Sequence, residues 1–297
     1  MGTAIERYSE LFKLQGRNFT VFDGSLYICE NHTVRQFAST KEQKMLGESQ
    51  VSALLRELKG YIFIGQSIIT TSAEPDWYAV VCEQGFNVDE YPSAKTRSEI
   101  KRSLRRCNVR KVSGQEIVDQ AFDVMTDAMK GQFYSRKEME GKKRYQEQFL
   151  LLDNFQDIID IWGVFSDEEL VGVAQNYKTG QLEVNYSSIK FKPQFLSHCS
   201  SYGLIHTMNE FYLKQRNAVL VNDGYRNVYH KTTIQQVLQK HFHFYKLPMR
   251  LQLHFRQPVR FLVDSLRPFR QSIGSLTPKA EALFLLDEIE KGYSTNE

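Results

Sequence analysis

Three stretches of this chain carry side chains that could do chemistry. The first, Gln181 to Ile189, alternates: Leu182, Val184 and Tyr186 fall on one face, and Glu183, Asn185 and Ser187 on the other, with Ser188 next. The second is the loop Pro193-Gln-Phe-Leu-Ser-His-Cys-Ser-Ser-Tyr-Gly203, which leads into a helix. Ser200 and Ser201 are suited to cap that helix and still leave backbone N–H groups for an anion, with Tyr202 and Gly203 beside them. The third is the apolar strand Ala218 to Val221, which ends in Asn222-Asp223-Gly224, with Tyr229, His230 and Lys231 beyond it. A meander followed by a helix and one more strand brings polar strand ends beside a helix N-terminus. Such a place can hold an acyl or phosphate-bearing donor.

A fourth stretch is marked by charge. Formal net charge is only +3, but Arg97 to Lys111 holds seven basic residues and one Glu. Ile100, Leu104 and Cys107 form a narrow apolar stripe on the predicted helix. Arg97, Lys101 and Arg105 line one flank, and Arg102 and Arg106 the other. Two readings stay open: a solvated helix packed by its stripe, or an anion-contacting helix for the phosphates of a donor or an RNA.

Several chemistries are excluded by pattern. His241, His243 and His254 lack metal spacing, since positions i and i+2 face apart on a helix, so no metal site is expected. No P-loop, dinucleotide fingerprint, nucleophile elbow or His-Glu-x-x-His occurs. The four cysteines are scattered, which suggests reduced thiols and a cytoplasmic protein. No apolar run approaches a membrane span, and the N-terminus lacks a signal-peptide core. At 297 residues and 41% hydrophobic, the composition is that of an ordinary globular chain.

The elements that must position these residues follow from periodicity. Asn18 to Cys29 reads as a hairpin across Asp23-Gly24. Val51, Leu54, Leu55 and Leu58 mark an amphipathic helix closed by Gly60. Tyr61 to Ile64, Ser67 to Thr71 and Trp77 to Cys82 read as strands. Ser113 caps a helix whose buried stripe runs from Ile117 to Ala128, and Tyr134 to Gln156 is a charged helical connector. Ile161 to Phe165, Leu170 to Tyr177 and Gln181 to Ile189 form the meander. Thr232 to Phe242 is a helix, Met249 to Phe255 a strand, Pro258 opens a short helix, and Pro278 to Lys291 is the last.

This order resembles the GNAT acyltransferase superfamily, and within it the Fem-type branch, whose peptidyltransferases contain two GNAT-like halves. Three features carry the likeness: Trp77-Tyr78-Ala-Val-Val followed by Lys95-Thr-Arg97-Ser-Glu-Ile100-Lys-Arg; Glu169-Leu-Val-Gly172-Val-Ala leading into Leu182-Glu-Val-Asn-Tyr186; and Val221-Asn-Asp-Gly224, Thr232-Thr-Ile-Gln-Gln and Phe244-Tyr-Lys-Leu-Pro248. The resemblance implies an α/β (α+β) fold with a GNAT-like mixed sheet flanked by helices. It divides the chain into an N-terminal half (1–112), a helical connector (113–156), a C-terminal half (157–256) and a helical extension (257–297).

The resemblance also implies direct transfer of an acyl group to a small amine acceptor, from an acyl-CoA-like thioester or from aminoacyl-tRNA as cosubstrate, with no tightly bound cofactor. Such transfer needs a base near the amine, a proton donor near the leaving group and N–H groups facing the oxyanion. Glu183 is the candidate base and Asp223 its alternative; Tyr186 and Tyr229 are candidate acids. Ser187, Ser188, Ser200, Ser201, Tyr202, Gly203, His230 and Lys231 are candidates to touch the donor. Arg97, Lys101, Arg102 and Arg105 would contact anion or RNA. Each also has a plainer role: an exposed strand carboxylate for Glu183, an Asx turn for Asp223, packing for the tyrosines. The family's Arg/Gln-x-x-Gly-x-Gly/Ala loop is replaced here by a loop with one glycine. Fem-type enzymes lack that signature too and use aminoacyl-tRNA. A third reading is a non-catalytic anion-binding protein on the same frame.

Overall fold

Asp23 and Gly24 adopt left-handed φ of 48° and 68°. This is the turn that lets two right-twisted strands pair across two residues. A computed structural model describes residues 3–71, 73–130, 141–180, 182–198, 200–216, 218–228, 233–270 and 278–294. In chain order its elements are α1 (Ala4–Leu14), β1 (Asn18–Phe22), β2 (Ser25–Glu30), β3 (Thr33–Phe37), α2 (Glu48–Glu57), β4 (Ile62–Ile68), β5 (Tyr78–Cys82) and α3 (Ala94–Arg106). There follow β6 (Asn108–Val112), α4 (Gly114–Met129), α5 (Lys142–Leu151), β7 (Ile159–Ser166), β8 (Glu169–Thr179) and β9 (Glu183–Phe191). The chain closes with α6 (Ser200–Asn209), β10 (Leu220–Tyr225), α7 (Ile234–His241), β11 (Tyr245–Phe255), α8 (Gln257–Leu266) and α9 (Pro278–Ser294). The fold is α/β, with mixed pairing and flanking helices.

Contacts group the chain into two units. The first is Met1–Val80, Gly224–Ile234 and Lys246–Glu297; the second is Val81–Asp223 and Gln235–Tyr245. Helix α3, read from sequence as part of the N-terminal half, therefore belongs to the second unit.

In the first unit the strand order is β1-β2-β3-β4-β11, antiparallel except for the parallel β3–β4 pair. Its core joins Val51, Leu54, Leu55 and Leu58 to Tyr27, Val34 and Phe63. The two strands expected between Tyr61 and Thr71 form the single strand β4. Gly65 lies inside it because a Cβ there would stand 2.7 Å from the Gln252 side chain. Gln252 is fixed by a reciprocal bond pair with the Leu46 backbone, donating at 2.6 Å and accepting at 3.0 Å. Helices α8 and α9 are tied by Asp287, a buried carboxylate ringed by Arg260, Arg267 and Lys291.

The second unit holds the stretches of chemical interest. Its strand order is β10-β9-β8-β7-β6, antiparallel from β6 to β9 and parallel between β9 and β10. Helix α6 continues into a π-helical turn, Glu210–Gln215, closed by the Arg216 N–H donating to the Phe211 carbonyl at 2.9 Å. α3 packs on α6 through hydroxyl groups as well as apolar ones. Thr96, Ile100 and Ser103 are its buried residues, whereas Leu104 is 42% exposed. The Thr96 hydroxyl bonds His241 Nδ1 at 2.8 Å, and Ser103 Oγ accepts the Gly203 N–H at 3.1 Å. Cys29, Cys82 and Cys107 are free thiols, while Cys199 lies outside the described residues. No described helix is long and apolar enough to cross a membrane.

A Cβ at position 203 would stand 2.2 Å from Ser103 Oγ. Gly203→Ala should lower stability by about 1–3 kcal/mol in urea denaturation, the usual cost of overpacking. The double change with Ser103→Ala should recover part of that loss. Equal stability of Gly203→Ala and the parent chain would contradict this account of the α3–α6 contact.

Candidate functional site

The second unit's strands are arranged around β9. One edge of β9 pairs with β8 along its whole length, from Thr179↔Glu183 to Gly172↔Phe191. The register shifts once: Gln175 stands opposite Ser188 and Asn176 opposite Tyr186, which leaves Ser187 as the extra residue of a bulge. The other edge of β9 pairs with β10 only at Glu183↔Leu220, Val184↔Val221 and Asn185↔Asn222. From Tyr186 to Phe191 that edge has no ladder partner among the described residues. Backbone groups directed to it are available to a ligand or to water.

Strand alternation separates the two candidate carboxylates. Glu183 and Asn185 share a face with Leu220 and Asn222; Val184 and Tyr186 share the opposite face with Val221 and Asp223. Glu183 is buried, and Asn222 Nδ2 donates to its Oε1 at 3.2 Å. The exposed strand carboxylate of the plainer reading is therefore not what the fold contains. Asp223 sits one residue beyond the last ladder pair. Burial pushes its carboxyl up to about 7, opposed in part by a hydrogen bond with the Gln235 side chain. A carboxyl of this kind is half ionised near neutral pH, the range in which a general base serves best.

Tyr186 is buried, and its hydroxyl donates to Asn209 Oδ1 at 2.7 Å. Burial, followed by the charge of Tyr212, holds its phenol well above the usual range. The proton expected to serve a leaving group is thus directed to an amide oxygen. Behind it lies a polar core that sequence reasoning missed. The Tyr212 hydroxyl donates to Asp160 Oδ2 at 2.9 Å and accepts from Trp162 Nε1 at 2.8 Å and Asn176 Nδ2 at 3.2 Å. One donor and two lone pairs are all in use. Asp160 is buried and also meets Lys111 at 2.5 Å and Lys178 at 3.0 Å. The π-helical turn carries Tyr212 into this position. Asn209 Nδ2 and Asn176 Oδ1 are buried without a partner among the described residues.

The remaining candidates divide. Ser187 is exposed and Ser188 half-buried, on the open stretch of β9. Ser200 is fully buried, and its hydroxyl donates back to the Phe195 carbonyl at 3.2 Å, so it does not cap α6 toward an anion. The Gly203 amide is consumed by Ser103. Ser201 and Tyr202 are half-buried, the Tyr202 ring lying 5.5 Å from His241 and 5.3 Å from Phe242. Tyr229, His230 and Lys231 lie outside the described residues. Of the basic residues, Arg97 donates to the Tyr91 and Pro92 carbonyls, Lys101 pairs with Asp89 at 2.6 Å, and Arg102 with Glu99 at 2.9 Å. Local partners thus take three of the four cations expected to meet phosphate. Arg105 makes no side-chain hydrogen bond or ion pair among the described residues. No cluster of metal-binding side chains occurs among the described residues.

No family model and no curated protein matches the chain. Solved structures do. The structure of FemX superimposes with a TM-score of 0.52 at 11% identity, over 88% of this chain and 94% of FemX. A conserved protein of unknown function from Bacteroides thetaiotaomicron gives 0.49 at 11% identity, over 84% of this chain and 88% of that one. The C-terminal domain of a putative lysylphosphatidylglycerol synthetase from Agrobacterium fabrum gives 0.47 at 10% identity, over 80% and 81%. At these identities the likeness concerns the fold: the chain has a GNAT-like fold of the Fem type.

Proposed function

We propose that the protein is an N-acyltransferase, moving an acyl group from a thioester donor to a small amine by direct attack. The observation that carries this reading is Asp223. It is a carboxyl raised to about 7, on the face of Tyr186, one residue past the point where β10 leaves β9. Ionised Asp223 takes a proton from the acceptor ammonium. The neutral nitrogen attacks the donor carbonyl carbon, and the carbonyl electron pair moves to oxygen. A backbone N–H directed to the open edge of β9 beside the Ser187 bulge is suited to receive that oxyanion, since no ladder partner among the described residues occupies that edge. Collapse breaks the C–S bond. The thiolate takes the proton held by Asp223, and the amide nitrogen gives up its second surplus proton to water, which leaves the carboxylate ionised for the next cycle. Tyr186 is not needed as an acid, because its proton is committed to Asn209.

Glu183 supports this arrangement from the opposite face, where Asn222 links it across the ladder beside Asp223. It serves as a positioning residue rather than the base.

A second reading concerns the donor. The Ser200 hydroxyl and the Gly203 amide both turn inward, so neither is offered to a pyrophosphate at the entry to α6. This favours an ester-linked donor such as aminoacyl-tRNA, used by the Fem-type enzymes the chain resembles. Thermal shift separates the two. Coenzyme A or its acyl esters should raise the melting temperature under the thioester reading. Salt-sensitive tRNA binding with no response to any coenzyme A species would replace it with the second.

Two consequences follow from Asp223. The rate at subsaturating acceptor should rise with pH through about 7, and Asp223→Asn should remove that limb with a loss of about 10²–10⁴-fold. A variant retaining the parent's pH profile would exclude Asp223 as the base. Stability gives a second check. A carboxyl whose folded-state value is raised supports the fold below its unfolded value near 4, and that support is lost as pH rises through about 7. Asp223→Asn, which never ionises, should therefore melt higher than the parent at pH 8.5 and by a smaller margin at pH 5. Identical melting differences at both values would contradict the raised carboxyl of Asp223.

A further inference from the structure

A groove of about 890 Å³ opens at the far end of the second unit's strand order, beside β6 and the β7–β8 turn. It is separate from the β9–β10 fork, with β7 and β8 between them. One wall is the last turn of α3, with Arg105 and Arg106; the other is the turn Asp167-Glu168. Leu104, Val109 and Phe165 supply apolar surface between them.

The charges are notable for what they leave undone. Neither arginine side chain and neither carboxylate makes a hydrogen bond or ion pair with another group among the described residues. The third arginine of the groove, Arg110, is already paired with Glu116 and lies over the Phe165 ring at 4.6 Å. Two free cations and two free anions therefore line one groove without neutralising each other. The turn also departs from ordinary hairpin chemistry. Asp167 and Glu168 hold φ of 47° and 68°, where Asn-Gly would sit with less strain.

We propose that this groove is a binding site for a short peptide with free termini. Its carboxylate meets Arg105 and Arg106, its ammonium meets Asp167 and Glu168, and an apolar side chain covers Leu104 and Val109. The charge count decides against a polyanion. The net free charge of the lining is zero, and the two carboxylates would repel each added phosphate. The groove is open to solvent and larger than a single small ion requires. Arginine matches a carboxylate through two parallel N–H donors, which gives direction to one end of the ligand.

Titration calorimetry with trileucine tests this directly. Free trileucine should bind, and N-acetylation or C-terminal amidation should each weaken binding about tenfold or more, the usual effect of one lost charge-assisted contact. The double change Arg105→Gln with Arg106→Gln should bind free trileucine and its amide equally weakly, yet still discriminate against the acetylated form. Asp167→Asn with Glu168→Gln should show the converse. This crossed pattern cannot arise from misfolding, and circular dichroism melts of both doubles should match the parent. Equal binding of free and capped peptides, no heat at millimolar peptide, or a single-stranded RNA oligonucleotide binding through the two arginines where trileucine does not would each overturn the proposal.

Discussion

A parallel ladder of three residue pairs joins β10 to β9 and then ends. Neighbouring strands in a ladder lie about 5 Å apart, too close for anything to enter between them. An edge becomes usable only where the partner strand departs. Here the ladder ends at Asn185 and Asn222, so the next residue of β10, Asp223, and the next of β9, Tyr186, come just past it on the same face. The bulge at Ser187 falls one residue further along. Fork, bulge and carboxyl thus occupy consecutive positions, and each makes sense only because pairing stops there.

The end of this ladder is backed by polar groups as well as by apolar packing. The Tyr212 hydroxyl joins Asp160, Trp162 and Asn176 behind Tyr186, and Lys111 and Lys178 offset the buried charge of Asp160. A network in which every bond of a hydroxyl is used tolerates little displacement. It fixes the helix that carries Asn209, and Asn209 in turn fixes the Tyr186 hydroxyl. On the other face Glu183 and Asn222 link the two strands just before they part.

Much of the frame was legible in the sequence, because its cues are local. Asp23-Gly24 announced a hairpin, Leu54 and Leu58 a buried helix face, and the alternation of Val184 and Tyr186 a strand with two distinct faces. What the sequence concealed depends on partners distant in the chain. Apolar spacing pointed to Leu104 as an inward residue of α3, but Ser103 is buried instead, since its hydroxyl accepts the amide of Gly203. Small hydroxyl residues bury readily once bonded, and periodicity of apolar residues does not register them. Ser200 and Gly203 look like an anion site in the sequence for the same reason, and their bonds turn them inward. The helix Ala4–Leu14 went unread although Thr3 and Glu6 form a capping box. The Tyr212 network left no trace, because its members come from β7, β8 and a π-helical turn.

Residue-resolved hydrogen exchange tests the open edge most directly. The account predicts a split within Tyr186 to Phe191: amides directed toward β8 exchange slowly, and those directed away exchange as fast as exposed turns, until a bound donor slows them. Glu183 to Asn185, paired on both edges, should be protected throughout. Uniform slow exchange from Glu183 to Phe191 in the free protein would mean that the edge is closed, and the proposed chemistry would have no place to occur.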